Sequence, residues 1–253
     1  MKLIRYALPV LFLGQTAFSA GNNLMVRGVG SGILYPAASQ SLIVNPADLD
    51  ETSRINVAGL YRMTDKDASV IASSKLGTAA GIGAGYYQVG TASVYTGGLG
   101  LHLGVLRLGL NFKSATLLNS GFNSDVGAIL MLNKVRIGAV ARDVNGRISR
   151  VDAGIGFVSS NLMFEVNLKK STPLNTSSYL LDAALTTVAP GATLGFGYDT
   201  LYDTAAGGRF SGGSVHAGVS IGLGSNFFVE GFYRPIAQEW NAGKWSVGLR
   251  ASL

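Results

Sequence analysis

The chain has 253 residues, 47% hydrophobic and 13% charged, with 35 glycines, 6 prolines, no cysteine and a formal charge of +6. Beyond the N-terminus no stretch approaches the roughly 18 to 20 uninterrupted apolar residues of a spanning helix. Membrane residence for so apolar a chain therefore requires strands closed into a barrel, where every backbone polar group is paired. The lack of cysteine excludes a disulfide framework, a thiolate metal centre, a thiol nucleophile and the lipid-modified cysteine of a lipoprotein.

Residues 1–20 read as a secretory signal. Lys2 and Arg5 form the charged region, Tyr6 to Leu13 the apolar region, and Ala17 and Ser19 the small-residue end, with cleavage before Ala20 or one residue later. Removal of Lys2 and Arg5 lowers the charge from +6 to +4. The remaining basic residues are scattered rather than gathered in a run, which argues against a nucleic-acid partner.

Residues 21–52 show no strand alternation. Gly28, Gly30 and Gly32 lack the strand–helix context of a dinucleotide loop. Asn45-Pro46-Ala47, followed by Asp48 and Leu49, reads as a turn: the residue before a proline is pushed out of helical dihedrals, and an asparagine side chain bonds nearby backbone.

From Ser53 to Leu253 the pattern repeats with period 2. Leu106, Leu108, Leu110 and Phe112 alternate with Arg107, Gly109, Asn111 and Lys113. Val135, Ile137, Ala139 and Ala141 alternate with Arg136, Gly138, Val140 and Arg142. The same holds for Leu162 to Lys169 and for Ser214 to Leu223. One face suits lipid and the other a polar lumen, whereas a soluble sandwich would carry more charge on its outer face. Turn residues place strands near 53–63, 66–75, 78–89, 93–104, 106–115, 124–133, 135–143, 148–159, 161–170, 176–187, 191–200, 211–222, 226–236 and 243–253. That makes fourteen, with twelve left open by the indistinct boundaries between residues 53 and 105.

Every second connection is minimal: Leu76-Gly77, Val105, Asn133-Lys134, Ser160, a Pro190 turn and Gly224-Ser225. The others are longer, as in Thr116 to Asn123, Val144 to Arg147, Ser171 to Asn175, Leu201 to Phe210 and Ala237 to Ala242. Outer-membrane barrels have short periplasmic turns and longer external loops, so both ends belong in the periplasm. The last strand puts Trp245, Val247, Leu249, Ala251 and Leu253 on one face. It resembles the C-terminal strand that barrel-assembly machinery reads, with Leu253 in place of the usual aromatic. Tyr61, Tyr86, Tyr87, Tyr95, Tyr179, Tyr198, Phe227 and Trp240 fall toward strand ends, where an aromatic girdle sits.

The Asn45-Pro46-Ala47 turn, with Asp48 behind it and the small residues Ala37 and Ala38 ahead of it, directly precedes this strand series. In motif and position it resembles the N-terminal hatch of the long-chain fatty-acid outer-membrane transporter family. The resemblance implies an all-β fold: an antiparallel up-and-down transmembrane barrel of about fourteen strands (53–253), plugged by a hatch (21–52), in the outer membrane of a Gram-negative bacterium. It also implies passive inward passage of hydrophobic small molecules such as fatty acids. The barrel is shorter than typical members and lacks their long external loops.

Inward glycines, among them Gly81, Gly83, Gly85, Gly154, Gly156, Gly195, Gly197, Gly218 and Gly222, leave room for such a plug. Leu24, Met25, Ile33 and Leu34 are candidates to line an apolar cavity. Arg107, Arg136, Arg142, Arg150, Arg234 and Arg250 point inward. Arg107 and Arg136 are candidates for a ligand carboxylate, and internal pairing with Asp48, Asp50, Asp152, Glu165, Asp182 or Glu230 is the competing assignment. His102 and His216 are the only histidines and have no recognisable catalytic or metal-binding company, so no enzyme, metal or cofactor is expected. Expected partners are outer-membrane lipid and lipopolysaccharide, a hydrophobic ligand and the assembly machinery. The alternative function is a structural or secretion-associated barrel that serves as an assembly partner.

Overall fold

A computed structural model of the chain describes residues 33–36, 41–49, 55–63, 66–89, 92–115, 122–145, 148–159, 161–171, 178–189, 191–204, 207–236 and 239–253. The predicted signal, Leu24 and Met25 lie outside the described residues.

The alternating segments form fourteen strands: β1 (Ile55–Arg62), β2 (Asp67–Leu76), β3 (Ala80–Val89), β4 (Ala92–Leu103), β5 (Leu106–Ala115), β6 (Phe122–Leu132) and β7 (Val135–Arg142). They continue as β8 (Arg150–Val158), β9 (Leu162–Ser171), β10 (Ser178–Ala189), β11 (Ala192–Asp203), β12 (Arg209–Gly222), β13 (Phe227–Ile236) and β14 (Glu239–Ser252). Each pairs antiparallel with its neighbours in sequence, and β1 pairs with β14 in the register Gly59↔Leu249, which closes the ring. Among the described residues every strand edge is paired, the condition for a strand protein to sit in hydrocarbon.

Alternation decides which side chain goes where. Outward positions carry Val126, Ile137, Ile155, Phe164, Phe196, Val247 and Leu249, all exposed. Inward positions carry Asn111, Asp125, Asp152, Glu165, Asn167 and Glu230, all buried. Apolar outside and charged inside is the reverse of a water-soluble domain and suits a lipid surround.

The described residues form fourteen strands, the larger of the two counts the sequence left open. Two predicted loops shorten. The segment predicted as a loop from Ala237 to Ala242 is mostly strand, because β13 and β14 stay paired as far as Ile236↔Glu239. The Leu201 to Phe210 loop likewise yields residues to β11 and β12, which pair out to Asp203↔Arg209. In both places small and polar residues read as turn signals, yet at a barrel rim they are compatible with continued pairing. The β13–β14 register slips between Arg234 and Ile236, where Pro235 has no N–H to give.

Candidate functional site

Two stretches of the N-terminal segment lie inside the ring against the β3–β9 side: Ile33–Pro36, and Ser41–Leu49 with a short helix α1 (Ser41–Val44) and a 3₁₀ turn (Pro46–Asp48). Asn45 caps that turn. Its backbone is extended, its Oδ1 accepts from the Ala47 N–H at 3.1 Å, and its Nδ2 donates to the Ile33 carbonyl at 2.8 Å. One side chain thus ties both stretches together, as an Asx turn does.

The seat for this turn is a transverse row of glycines. Gly81, Gly100, Gly109 and Gly127 are register partners on β3, β4, β5 and β6. A Cβ on Gly109 would collide with the Ala47 nitrogen and the Pro46 carbonyl carbon, and one on Gly127 with the Asn45 Oδ1. Absent side chains are what let the turn touch the wall. Elsewhere Leu34 fits over Gly138 and Gly156, and Leu42 and Leu49 fit against Gly83. Apolar packing completes the contact: Ile33, Leu34, Tyr35 and Ala47 cluster with Ile129 and Val140, and Leu42 and Leu49 with Ile71.

Charge fastens what the glycines seat. Arg107 donates to Asp48 Oδ1 at 3.0 Å, and Arg136 stands 4.0 Å from the same oxygen. Arg136 also donates to the Leu34 carbonyl at 3.4 Å and lies over the Tyr35 ring, 4.7 Å from its centroid. Glu165 accepts the Leu34 N–H at 3.1 Å. Arg142 grips α1 by donating to the carbonyls of Ile43 and Val44 at 2.7 and 2.6 Å, while Asp125 and Asp152 each lie 3.1 Å from its guanidinium. Lys113 pairs with Asp125 at 2.7 Å and, at the rim, with Asp143 at 3.2 Å. For Asp143, which lies beyond the end of β7, burial raises the carboxyl pKa, but the bond from the Ser149 hydroxyl and the Lys113 charge outweigh it and hold the pKa below the usual carboxylate value.

The sequence-predicted residues divide accordingly. Asn45, Pro46, Ala47 and Asp48 form the turn and its ionic anchor. Ile33 and Leu34 are packed in the cluster between segment and wall. Arg107 and Arg136 engage Asp48 and Leu34, so the charge offered for a ligand carboxylate goes to the protein's own chain. Sequence reasoning passed over Lys113, Asp125 and Tyr35 as site residues, and it missed Gly109 and Gly127 as the seat. A line of glycines at equal height becomes visible only once register is known.

The β11–β14 side is built differently. Arg250 donates to Glu230 at 3.2 Å and to Ser252 at 3.1 Å, and Ser252 donates to Asn56 at 2.6 Å. The Arg250 guanidinium lies 3.7 Å from the centroid of the Phe228 ring. His216 is buried with its imidazole over Gly197. Among the described residues no three histidine, aspartate or glutamate side chains come together as a metal centre.

No protein-family profile and no curated protein matches the sequence. The resemblance to the fatty-acid transporter family therefore rests on the hatch motif and the overall plan. Solved structures similar to the chain include the KdgM porin, at 8% identity and TM-score 0.45, covering 79% of this chain and 98% of that one. They also include a mutant of the Rhodopseudomonas blastica porin, at 9% identity and TM-score 0.49, covering 79% and 99%. A third is a chain from work on asymmetric conductivity of engineered proteins, at 8% identity and TM-score 0.49, covering 79% and 99%.

Proposed function

We propose that the chain is an outer-membrane barrel through which small molecules pass, with residues 33–49 as the element that narrows the path. The observation that carries this reading is the inner segment itself: it is seated on the glycine row and held by Arg107, Arg136 and Arg142. Its apolar side chains, Ile33, Leu34, Leu42 and Leu49, are taken up in packing against the wall, and fatty acids enter this reading as solutes through the likeness of the Asn45-Pro46-Ala47 turn to the hatch of the fatty-acid transporter family. The barrel is a conduit in this reading, without catalysis, and a purified His102→Ala/His216→Ala variant should show no loss of any lipid-modifying activity.

The test compares the whole chain with a variant lacking residues 21–50, both verified as folded by heat-modifiable gel mobility and reconstituted in liposomes. Removal of the segment should accelerate entry of a long-chain fatty acid and of small neutral solutes. Equal rates for every solute would overturn the proposal. The density of ion pairs on the segment favours a second reading, a fixed core in a structural or assembly barrel. A stoichiometric copurifying partner together with absent solute flux would establish it.

A further inference from the structure

We infer that the barrel mouth opposite the β1–β14 ends selects anionic solutes, and that Arg150 is the residue that sets this choice. The inference rests on the passage reading above and names the charge class that the path admits. At this mouth the lumenal face of β5–β8 carries one chain of alternating charge: Asp143, Lys113, Asp125, Arg142, Asp152 and Arg150. Both oxygens of each inner acid are taken. Asp125 Oδ1 lies 2.7 Å from Lys113 and its Oδ2 3.1 Å from Arg142, while Asp152 Oδ2 lies 3.1 Å from Arg142 and its Oδ1 2.7 Å from Arg150. Asp143, at the far end of the chain, holds Lys113 with one oxygen and accepts from the Ser149 hydroxyl with the other. The carboxylates are thus committed to cations of the wall, and little of their charge is left to draw a cation from outside.

The cations are covered far less than their inner acids. The Lys113 side chain is 17% exposed against 1% for Asp125, and that of Arg150 is 43% exposed against 1% for Asp152. Arg142 is turned inward onto the carbonyls of Ile43 and Val44, which leaves Arg150 to face the opening. One edge of its guanidinium is spent on Asp152, with Nη2 donating to Oδ2 at 3.0 Å. A guanidinium carries five N–H donors in a rigid fork, so its other edge still has donors to offer. The cross-strand register partner of Arg150 is a second cation, Arg142, and the two share Asp152. This end of the chain therefore holds two positive charges to one negative. Outside residues 1–20 basic residues outnumber acidic ones by four, and the lipid-facing positions are apolar, so the excess belongs to the lumen and its rims. An entering solute meets a guanidinium and an ammonium with the matching carboxylates behind them, and fixed Arg and Lys in a pore favour anions.

The chain has no cysteine, so a single introduced thiol reports the local potential. Ile148→Cys places it two residues before Arg150, at an exposed position outside the strands. Two reagents modify this thiol on the full chain in neutral detergent: anionic methanethiosulfonate ethylsulfonate and cationic methanethiosulfonate ethyltrimethylammonium. Each rate is divided by that of free 2-mercaptoethanol, and folding is checked by heat-modifiable mobility. The normalised anion-to-cation ratio should exceed one. Arg150→Gln in the same background should lower it about threefold, the effect of one unit charge roughly 7 Å away across water at about 0.1 M salt. In planar bilayers under a potassium chloride gradient, the wild-type reversal potential should favour chloride, and Arg150→Gln should shift it toward potassium. A thiol ratio at or below one, a ratio that Arg150→Gln leaves unchanged, or a potassium preference in wild type would each overturn the inference. Absence of conduction from both the whole chain and the variant lacking residues 21–50, beside a thiol ratio that falls with Arg150→Gln, would strike the passage reading and support the anion-selecting mouth.

Discussion

The two sides of the lumen solve the same problem, charged groups inside a lipid-facing ring, in opposite ways. On the β5–β9 side the ions pair within the wall and also reach another piece of chain: Arg107 meets Asp48, Glu165 meets the Leu34 N–H, and Arg142, already beside Asp125 and Asp152, meets two carbonyls of α1. On the β11–β14 side the ion pair stays within the wall, Arg250 on Glu230, with the neutral Ser252 beside it donating to Asn56 of β1. The first wall is incomplete without its lodger. The second pairs Arg250 with Glu230 within the wall itself.

The largest test of this contrast is a matched pair of truncations. Arg142→Met takes one cation from Asp125 and Asp152, which keep Lys113 and Arg150, and should cost about 3 kcal/mol, the low end for a broken buried pair; it should also expose residues 33–49 to protease. Arg250→Met takes from Glu230 its ion-pair partner at 3.2 Å, with a comparable cost, but the inner segment should stay protected. Equilibrium unfolding in urea combined with limited proteolysis reads both. Protease access in the Arg250 variant would erase the distinction between the walls.

Next in size is Asp48→Asn, which keeps the shape of the turn but removes the counter-ion of Arg107 at a cost of about 1.5–3 kcal/mol. Single-channel recordings should show larger or more frequent openings; an unchanged trace would mean that this anchor does not restrain the segment. Gly109→Ala should cost about 1–3 kcal/mol because the added methyl drives into Pro46 and Ala47. Gly231→Ala, whose methyl would meet only Val219 at 3.4 Å, should stay within about 0.5 kcal/mol.

The smallest effect belongs to pH. Asp143 has its carboxyl pKa lowered in the folded state, so its contribution is present above the unfolded carboxylate pKa and fades as pH falls through the lower folded value. The group is partly exposed and its share is below about 1 kcal/mol. Asp143→Asn should therefore flatten only the acid limb of a stability–pH curve measured between about pH 5 and 2.

Much of the wall was legible in the linear pattern, because period 2 is a local property: Leu106 to Lys113 and Leu162 to Lys169 announce their two faces without reference to any neighbour. The Asn45 turn was legible for the same reason, since proline and an Asx side chain act over three residues. The seat was not. Gly81, Gly100, Gly109 and Gly127 are spread over 47 positions and become one feature only when antiparallel pairing brings them level. The assignment of inward arginines was ambiguous for a related reason. Arg107 has acids in several strands within reach of a lumen, and only the path of the segment decides that Asp48 takes it. The rim loops were overestimated because turn-forming residues signal a break in pattern, not a break in pairing.

Closure of the ring joins Ile55 to Leu253, so the seam is the most distant pairing in the wall and carries the heaviest loop entropy. The inner segment lies just ahead of β1 and is bonded to strands in the first two-thirds of the chain. The anchors at Arg107, Arg136 and Arg142 and the glycine seat all lie on β3–β7, away from that seam. Seating the segment and closing the ring are thus contacts made by different strands, and an open, curved sheet that lacks the seam still carries these anchors. The segment can be laid on the wall from the side, and nothing about its seat requires threading through a finished hole.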